Sequence, residues 1–389
     1  MSVEPVPAGA ASMRRIPSLD GLRAISIFLV VALHTLQRFE YTHTHSFLWT
    51  GLFDGATGVF IFFVISGYLI TSLLLHEYDR RGSISLSGFY FRRAMRILPP
   101  VYVYAAFLLL LGWAGRLTIV KLDIISALFF FHDYAPSSMW SLEHFWTLSI
   151  EEQFYLVWPF LLLYCLRRPG AEGRWKASKI AIAIIVIAPF LRVFSFTLAR
   201  HTFLFNGYGF HARADSLMFG CLIALLQGNP AFERFYGIAT KIWWIPPAVI
   251  VLSDCLEARF QNYWDLPFGF TLCGVAIALF LLWCVRNPSS VVGRLLNSRP
   301  FVHIGVLSYS IYIWQTLFLH PADKSVFGPS LKLLYTFPFS WLAILAVAEL
   351  SYNLVEKPAL RLRNRLLKYF NLYASRRQAR HMSVPGSGV

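Results

Sequence analysis

Arg23 and His34 stand eleven residues apart in the apolar stretch LDGLRAISIFLVVALHT, Leu19 to Thr35. On an α-helix that interval is three turns plus about 20°, with a rise near ~16 Å, so both side chains share one face. A guanidinium can hold an anionic group, and an imidazole can take a proton from a hydroxyl near neutral pH. Asp20, three residues before Arg23, joins the same stripe and can pair with it. Turning Arg or Asp to hydrocarbon costs about 3 kcal/mol each, so the stripe is expected to face protein or a water-filled cavity. For Asp20 and Arg23 an interfacial ion pair accounts for the residues as well as a functional role does. His34 lies deeper, has no charged sequence neighbour, and points to function.

A second set is Arg92, Arg93 and Arg96 in FYFRRAMRILPPVYVY, Phe89 to Tyr104. Arg92 and Arg96 are i,i+4 and Arg93 and Arg96 are i,i+3, so two guanidiniums can converge on one anion. Their forks suit phosphate or diphosphate, although positive-inside anchoring explains arginines at this place equally simply. Pro99 and Pro100 are expected to begin the next membrane span. A third set is Glu151 and Glu152 in HFWTLSIEEQFYLVWP, His144 to Pro159. Acids in such a span need partners, and Arg23, Arg192 and Arg213 are available. Glu151 suits a structural pair and Glu152 a substrate contact.

Other polar groups say less. Ser66 is not in a GxSxG elbow, and Ser-Gly within a span serves close helix packing. His43 and His45 are i,i+2, do not share a helix face, and lack a ligand partner at metal spacing, so no metal is expected. The five cysteines, Cys165, Cys221, Cys255, Cys273 and Cys284, include no CxxC pair and read as small packing residues.

The elements that must position these residues are membrane helices. Hydrophobic residues make up 57% of the chain and charged ones 14%, which excludes an ordinary soluble domain. Runs near the ~20 residues needed to span a bilayer fall at about 17–38, 56–76, 98–115, 145–166, 179–199, 212–228, 242–256, 266–285, 302–320 and 332–354. The chain is therefore expected to be an all-α, polytopic membrane protein with about ten transmembrane helices. Residues 118–131, interrupted by Lys121 and Asp123, are set aside as interfacial or re-entrant. The net charge of +15 sorts by loop. With the N-terminus inside, 25 Lys and Arg fall in inner segments and 7 in outer ones, which favours an N-in, C-in topology and removes any need for nucleic acid. The first span is too long for a cleaved signal peptide. Residues 1–13 and the basic 371–389 are expected to be disordered tails around one membrane domain, 14–370.

The motifs SLDGLRAISIFLVVALH, GVFIFFVISGYLIT, FYFRRAMRILP, FWTLSIEEQFYLVWP, HARADSLMFGCLIAL and VLSYSIYIWQ together resemble the acyltransferase-3 family of integral membrane O-acyltransferases, over roughly Ile16 to Arg363. The resemblance implies ten core helices in a bacterial cytoplasmic (inner) membrane. It also implies transfer of an acyl group, often acetyl, from cytoplasmic acyl-coenzyme A to a hydroxyl. The family's Arg-x10-His element falls on Arg23 and His34, and its Arg-x-x-Arg element on Arg93 and Arg96. Two departures stand out: Gln315 occupies a place where many relatives carry histidine, and the chain has no length for the C-terminal esterase-like domain some relatives carry.

A thioester is already activated, so the expected chemistry is positioning, proton removal and oxyanion stabilisation. His34 would be the base. Arg23 would order the channel or hold the donor, Glu152 would contact substrate, and Arg92, Arg93 and Arg96 would take the donor's phosphates. The acceptor would be a saccharide of a surface polysaccharide, lipopolysaccharide or glycolipid, free or lipid-linked. Tailoring of a macrolide or other small molecule is the alternative, and a transporter or flippase for a glycan-linked substrate is the rival from another class. Paired Gly/Pro-broken segments in two related halves, expected of many transporters, are not visible.

Overall fold

The computed structural model describes residues 16–38, 54–135, 138–168, 170–198, 209–320 and 326–382. Among them all regular structure is helical, with no strand. In chain order the main helices are α1 (Pro17–Arg38), α2 (Gly55–Arg81), α3 (Leu86–Trp113), α4 (Lys121–Leu128) and α5 (Phe145–Leu166). There follow α6 (Ala171–Leu198), α7 (Phe210–Leu226), α8 (Pro230–Ala239), α9 (Ile245–Phe260) and α10 (Phe270–Arg286). The remainder are α11 (Val291–Leu296), α12 (Arg299–Trp314), α13 (Thr316–Leu319), α14 (Phe339–Ser351) and α15 (Lys357–Met382).

Each of the ten stretches read as a span contains a helix, but six helices among the described residues are long and apolar enough to cross a membrane. A seventh span results if Pro230–Ile242 and Ile245–Phe260, bent by 75°, count as one. The others fall short for physical reasons. Glu151, Glu152 and Gln153 dilute the apolar character of α5, while α7 is 17 residues long and α12 is 16. The segment set aside as interfacial forms the short α4.

Contacts divide the chain into two units. The first comprises residues 1–84, 130–136 and 145–308. In it α1 packs on α2, α2 on α7, α7 on α6, and α10 on α7 and α9. Helix α2 starts where Asp54 caps it, accepting from Ala56 N at 3.1 Å and Thr57 N at 2.8 Å. Helices α2 and α7 touch backbone to backbone. A Cβ on Gly67 would stand 1.9 Å from the Leu217 oxygen, and one on Gly220 would stand 2.0 Å from the Val64 oxygen. Small residues permit this approach in a setting where helix association depends on packing.

The second unit comprises residues 85–129, 137–144 and 309–389. Its α3 begins at the Ser85 cap, which accepts from Gly88 N at 3.3 Å. Pro99 and Pro100 thus lie inside this helix, not at its start. They remove the N–H groups that would reach the carbonyls of Met95 and Arg96, a defect a membrane helix tolerates when its neighbours compensate. Tyr309 OH donates to Ile97 O on this helix at 2.8 Å. Helix α15 packs along α3. It runs to Met382, so residues 371–382, expected to be a disordered tail, are helical.

All five cysteines are buried and free, in keeping with their reading as packing residues.

Candidate functional site

In the first unit α1 is a continuous helix from Pro17 to Arg38, so the eleven-residue interval holds and Arg23 and His34 share a face. Its direction follows from the neighbours. Ile27, Val30 and Val31, which flank this face, are buried, whereas Phe28, about 140° round from Arg23, is 46% exposed. The stripe turns toward protein and Phe28 turns away from it. Arg23 and His34 are themselves half-buried. Arg23 Nη1 donates to Asp20 Oδ1 at 3.2 Å, with the side chains 14% and 10% exposed, the pairing expected from their i,i+3 spacing.

The two glutamates of α5 separate. Ser66 Oγ on α2 donates to Glu151 Oε1 at 2.5 Å and accepts from Tyr155 OH at 3.1 Å. Glu152, the next residue, is half-buried and points about 100° away round the helix. Arg192, offered above as a partner for these acids, is bound to Asp215: Nη1 lies 2.8 Å from Oδ2, with both side chains buried. Its remaining N–H groups donate to Leu266 O at 3.0 Å, Ala212 O at 2.9 Å and Thr271 Oγ1 at 3.1 Å. That is a closed structural site. Arg213 stacks on Phe270, 3.9 Å from the ring centroid.

Three arrangements in this unit escaped the sequence reading. Residues 130–135 fold against α5 and α7. There Asp133 accepts from Gln153 Nε2 at 2.8 Å and Phe210 N at 3.1 Å, and burial pushes its carboxyl up to about 6. Tyr134 OH lies 3.0 Å from His211 Nδ1. Elsewhere, carboxylate oxygens of Asp54, Asp254 and Glu257 lie within 4.8 Å of one another, and Thr57 Oγ1 donates to Asp254 at 2.9 Å. No short-range spacing announces these sets, because each joins segments far apart in the chain.

The second unit carries Arg92, Arg93 and Arg96 within α3. Arg92 and Arg93 are half-buried and Arg96 is exposed. Arg93 leans over Phe89, 5.8 Å from the ring centroid. Asp123, taken above as an interruption of a span, is buried and ties down the following loop, accepting from Met139 N at 2.6 Å and Ser138 N at 2.9 Å. Gln315, between α12 and α13, is buried with neither amide atom hydrogen-bonded among the described residues. His43 and His45 lie outside the described residues.

The model of the acyltransferase-3 family's acyltransferase domain matches residues 16–350, and the chain belongs to that family. A Staphylococcus aureus (strain COL) protein provisionally named an O-acetyltransferase is 31% identical over 89% of this chain and 57% of its own length. The peptidoglycan O-acetyltransferase OatA of Listeria monocytogenes is 29% identical over 92% of this chain and 58% of its own. A Bacillus subtilis (strain 168) protein provisionally named a peptidoglycan O-acetyltransferase is 30% identical over 89% and 55%. The chain thus spans somewhat more than half the length of these relatives. No solved structure matches it significantly.

Proposed function

We propose that this chain moves an acyl group, acetyl in the first instance, from acyl-coenzyme A to a saccharide hydroxyl of a surface glycan. It would work in the bacterial cytoplasmic membrane with both chain ends inside. Family membership and the names of the relatives support transfer to a polysaccharide. The observation that carries the chemistry is the α1 stripe, where Arg23 and His34 remain half-buried on the packed side of the helix.

In this reading the acceptor hydroxyl attacks the thioester carbonyl and His34 takes its proton. The carbon–sulfur bond breaks, and coenzyme A leaves as a thiolate that recovers a proton. Arg23, about 16 Å away along the helix, is too distant to touch the same carbonyl and instead orders the donor or the channel with Asp20. Arg92, Arg93 and Arg96 receive the donor's phosphates through charge-assisted bonds. Glu152 contacts the acceptor.

The test is acceptor-dependent release of free thiol from acetyl-coenzyme A by purified protein, offered a panel of cell-wall and surface-glycan oligosaccharides. His34→Ala should lower turnover by about 10² to 10⁴ with thermal unfolding unchanged. Wild-type turnover in that variant removes His34 as the base. Absence of thiol release, together with uptake of labelled oligosaccharide into proteoliposomes, would replace the enzyme by a transporter.

A further inference from the structure

Three side chains of the second unit hold buried polar atoms that meet no hydrogen-bond partner among the described residues: both amide atoms of Gln315, Nε1 of Trp314 and Oγ of Ser141. Gln315 and Ser141 are fully withdrawn from solvent, and Trp314 nearly so. Burying such atoms unpaired is costly, so each asks for an explanation. Their grouping points to one. Tyr104 on α3 donates to Ser141 O at 2.7 Å, lies 3.3 Å from Thr316 Oγ1, and meets the Trp314 ring edge-on with centroids 5.2 Å apart. It thus touches the residues on both sides of Gln315 and the segment that carries Ser141.

The backbone is irregular at the same place. Helix α12 stops at Trp314 and α13 starts at Thr316, and Ile313 O accepts a side-chain bond from His144 Nε2 at 3.2 Å. An interrupted helix in a membrane domain is tolerated where protein encloses it or it lines a polar cavity, and such interruptions recur at the substrate sites of membrane proteins.

The chemistry of the set is neutral. The Gln315 amide offers N–H donors beside a carbonyl acceptor, Trp314 offers a donor, and Ser141 offers both. None of them carries the charge that a phosphate or carboxylate ligand would call for. A sugar ring suits them better, because each of its adjacent hydroxyls both gives and accepts a hydrogen bond while its C–H face packs on aromatic rings such as Tyr104 and Trp314.

We infer that Gln315, with Trp314 and Ser141, forms a subsite for the hydroxyls of a saccharide. Its entrance lies beside Trp140 and His320, whose rings meet 4.2 Å apart and which are both half-buried. That the saccharide is the acyl acceptor rests on the reading above. The pantetheine arm of coenzyme A also presents neutral donors and acceptors, and the test separates the two sources.

The experiment follows thiol release from acetyl-coenzyme A by the full chain in nanodiscs, with soluble peptidoglycan oligosaccharides as acceptor, and in parallel the shift in thermal unfolding that each substrate causes. Gln315→Leu, close in size and unable to hydrogen-bond, should raise the acceptor KM about ten- to a hundred-fold and leave the acetyl-coenzyme A KM in place. Its unfolding should stay unmoved or rise, because an unpaired amide has gone. Gln315→Asn should recover part of the loss. An acceptor KM unchanged in Gln315→Leu overturns the inference, whether or not the variant gains stability. A raised acetyl-coenzyme A KM with an unchanged acceptor KM assigns the amide to the pantetheine arm and overturns the saccharide subsite. Where the wild type releases no thiol with any oligosaccharide, the transferase reading fails and the thermal shift decides: stabilisation by oligosaccharide that Gln315→Leu abolishes upholds the subsite, and its absence overturns it. Should Gln315→Leu fail to fold, Ser141→Ala and Trp314→Phe carry the same test.

Discussion

Asp215→Asn is the most direct probe of what holds α6 to α7. Asp215 and Arg192 are 0% and 2% exposed, and their 2.8 Å contact is charge-assisted. The substitution keeps shape and removes only the negative charge, leaving a buried guanidinium. Breaking one side of a buried pair costs about 3 to 5 kcal/mol, whereas an ordinary interhelical hydrogen bond in a membrane protein averages about 0.6 kcal/mol. The charge term therefore dominates. The guanidinium keeps the Leu266 and Ala212 carbonyls and the Thr271 hydroxyl, which places the expected loss at the low end, about 3 kcal/mol. Arg192→Met should cost a similar amount by orphaning Asp215. The double variant, which buries no net charge, should lose clearly less than the sum, with a coupling of about 2 kcal/mol. Reversible unfolding of the three variants in detergent, followed by tryptophan fluorescence, measures all of these. An Asp215→Asn protein within about 0.5 kcal/mol of the wild type, or additive single variants, would show that the ion pair is not what fastens these helices.

Two further outcomes follow from the first unit. Gly220→Ala would place a methyl 2.0 Å from the Val64 oxygen, forcing α2 and α7 apart at a cost of about 1 to 3 kcal/mol. Gly237→Ala on α8 meets nothing within 4 Å and should stabilise by about 0.5 to 1 kcal/mol, so equal melting temperatures for the two variants would refute the close-packing account. Asp133 binds its proton more tightly folded, at about 6, than its ordinary 3.8. Relative to Asp133→Asn, the wild type should thus be most stable below pH 4 and lose stability as pH rises through 6, by at most about 3 kcal/mol; a difference between the two proteins that is flat from pH 4 to 7 would exclude it.

What the sequence made legible was local. The i,i+3 spacing of Asp20 and Arg23 announces a pair that forms at 3.2 Å, and apolar runs locate the helices because burial and hydrogen bonding leave a membrane chain few other conformations. Two kinds of information were out of reach. Pro-Pro is a reliable stop in water, yet α3 passes through Pro99 and Pro100. Partners distant in the chain follow from helix packing, which no spacing rule encodes: Ser66 meets Glu151 85 residues on, and Arg192 meets Asp215 23 residues on. The apolar runs also overstate the number of full-length spans, since a helix such as α7, walled in by α2, α6 and α10, can be apolar without being long.

The polar groups inside these helices fall into two kinds, and the distinction says where to look for function. One kind is closed. Arg192 with Asp215 and Glu356 with Ser310 are buried and meet partners within the protein. Such groups recover their desolvation cost internally, so changing them should move stability first. The other kind is half-buried: Arg23 and His34 on α1 and Arg92 on α3 are less fully withdrawn from solvent. The half-buried set is the one whose substitution should move donor binding and turnover while leaving unfolding in place.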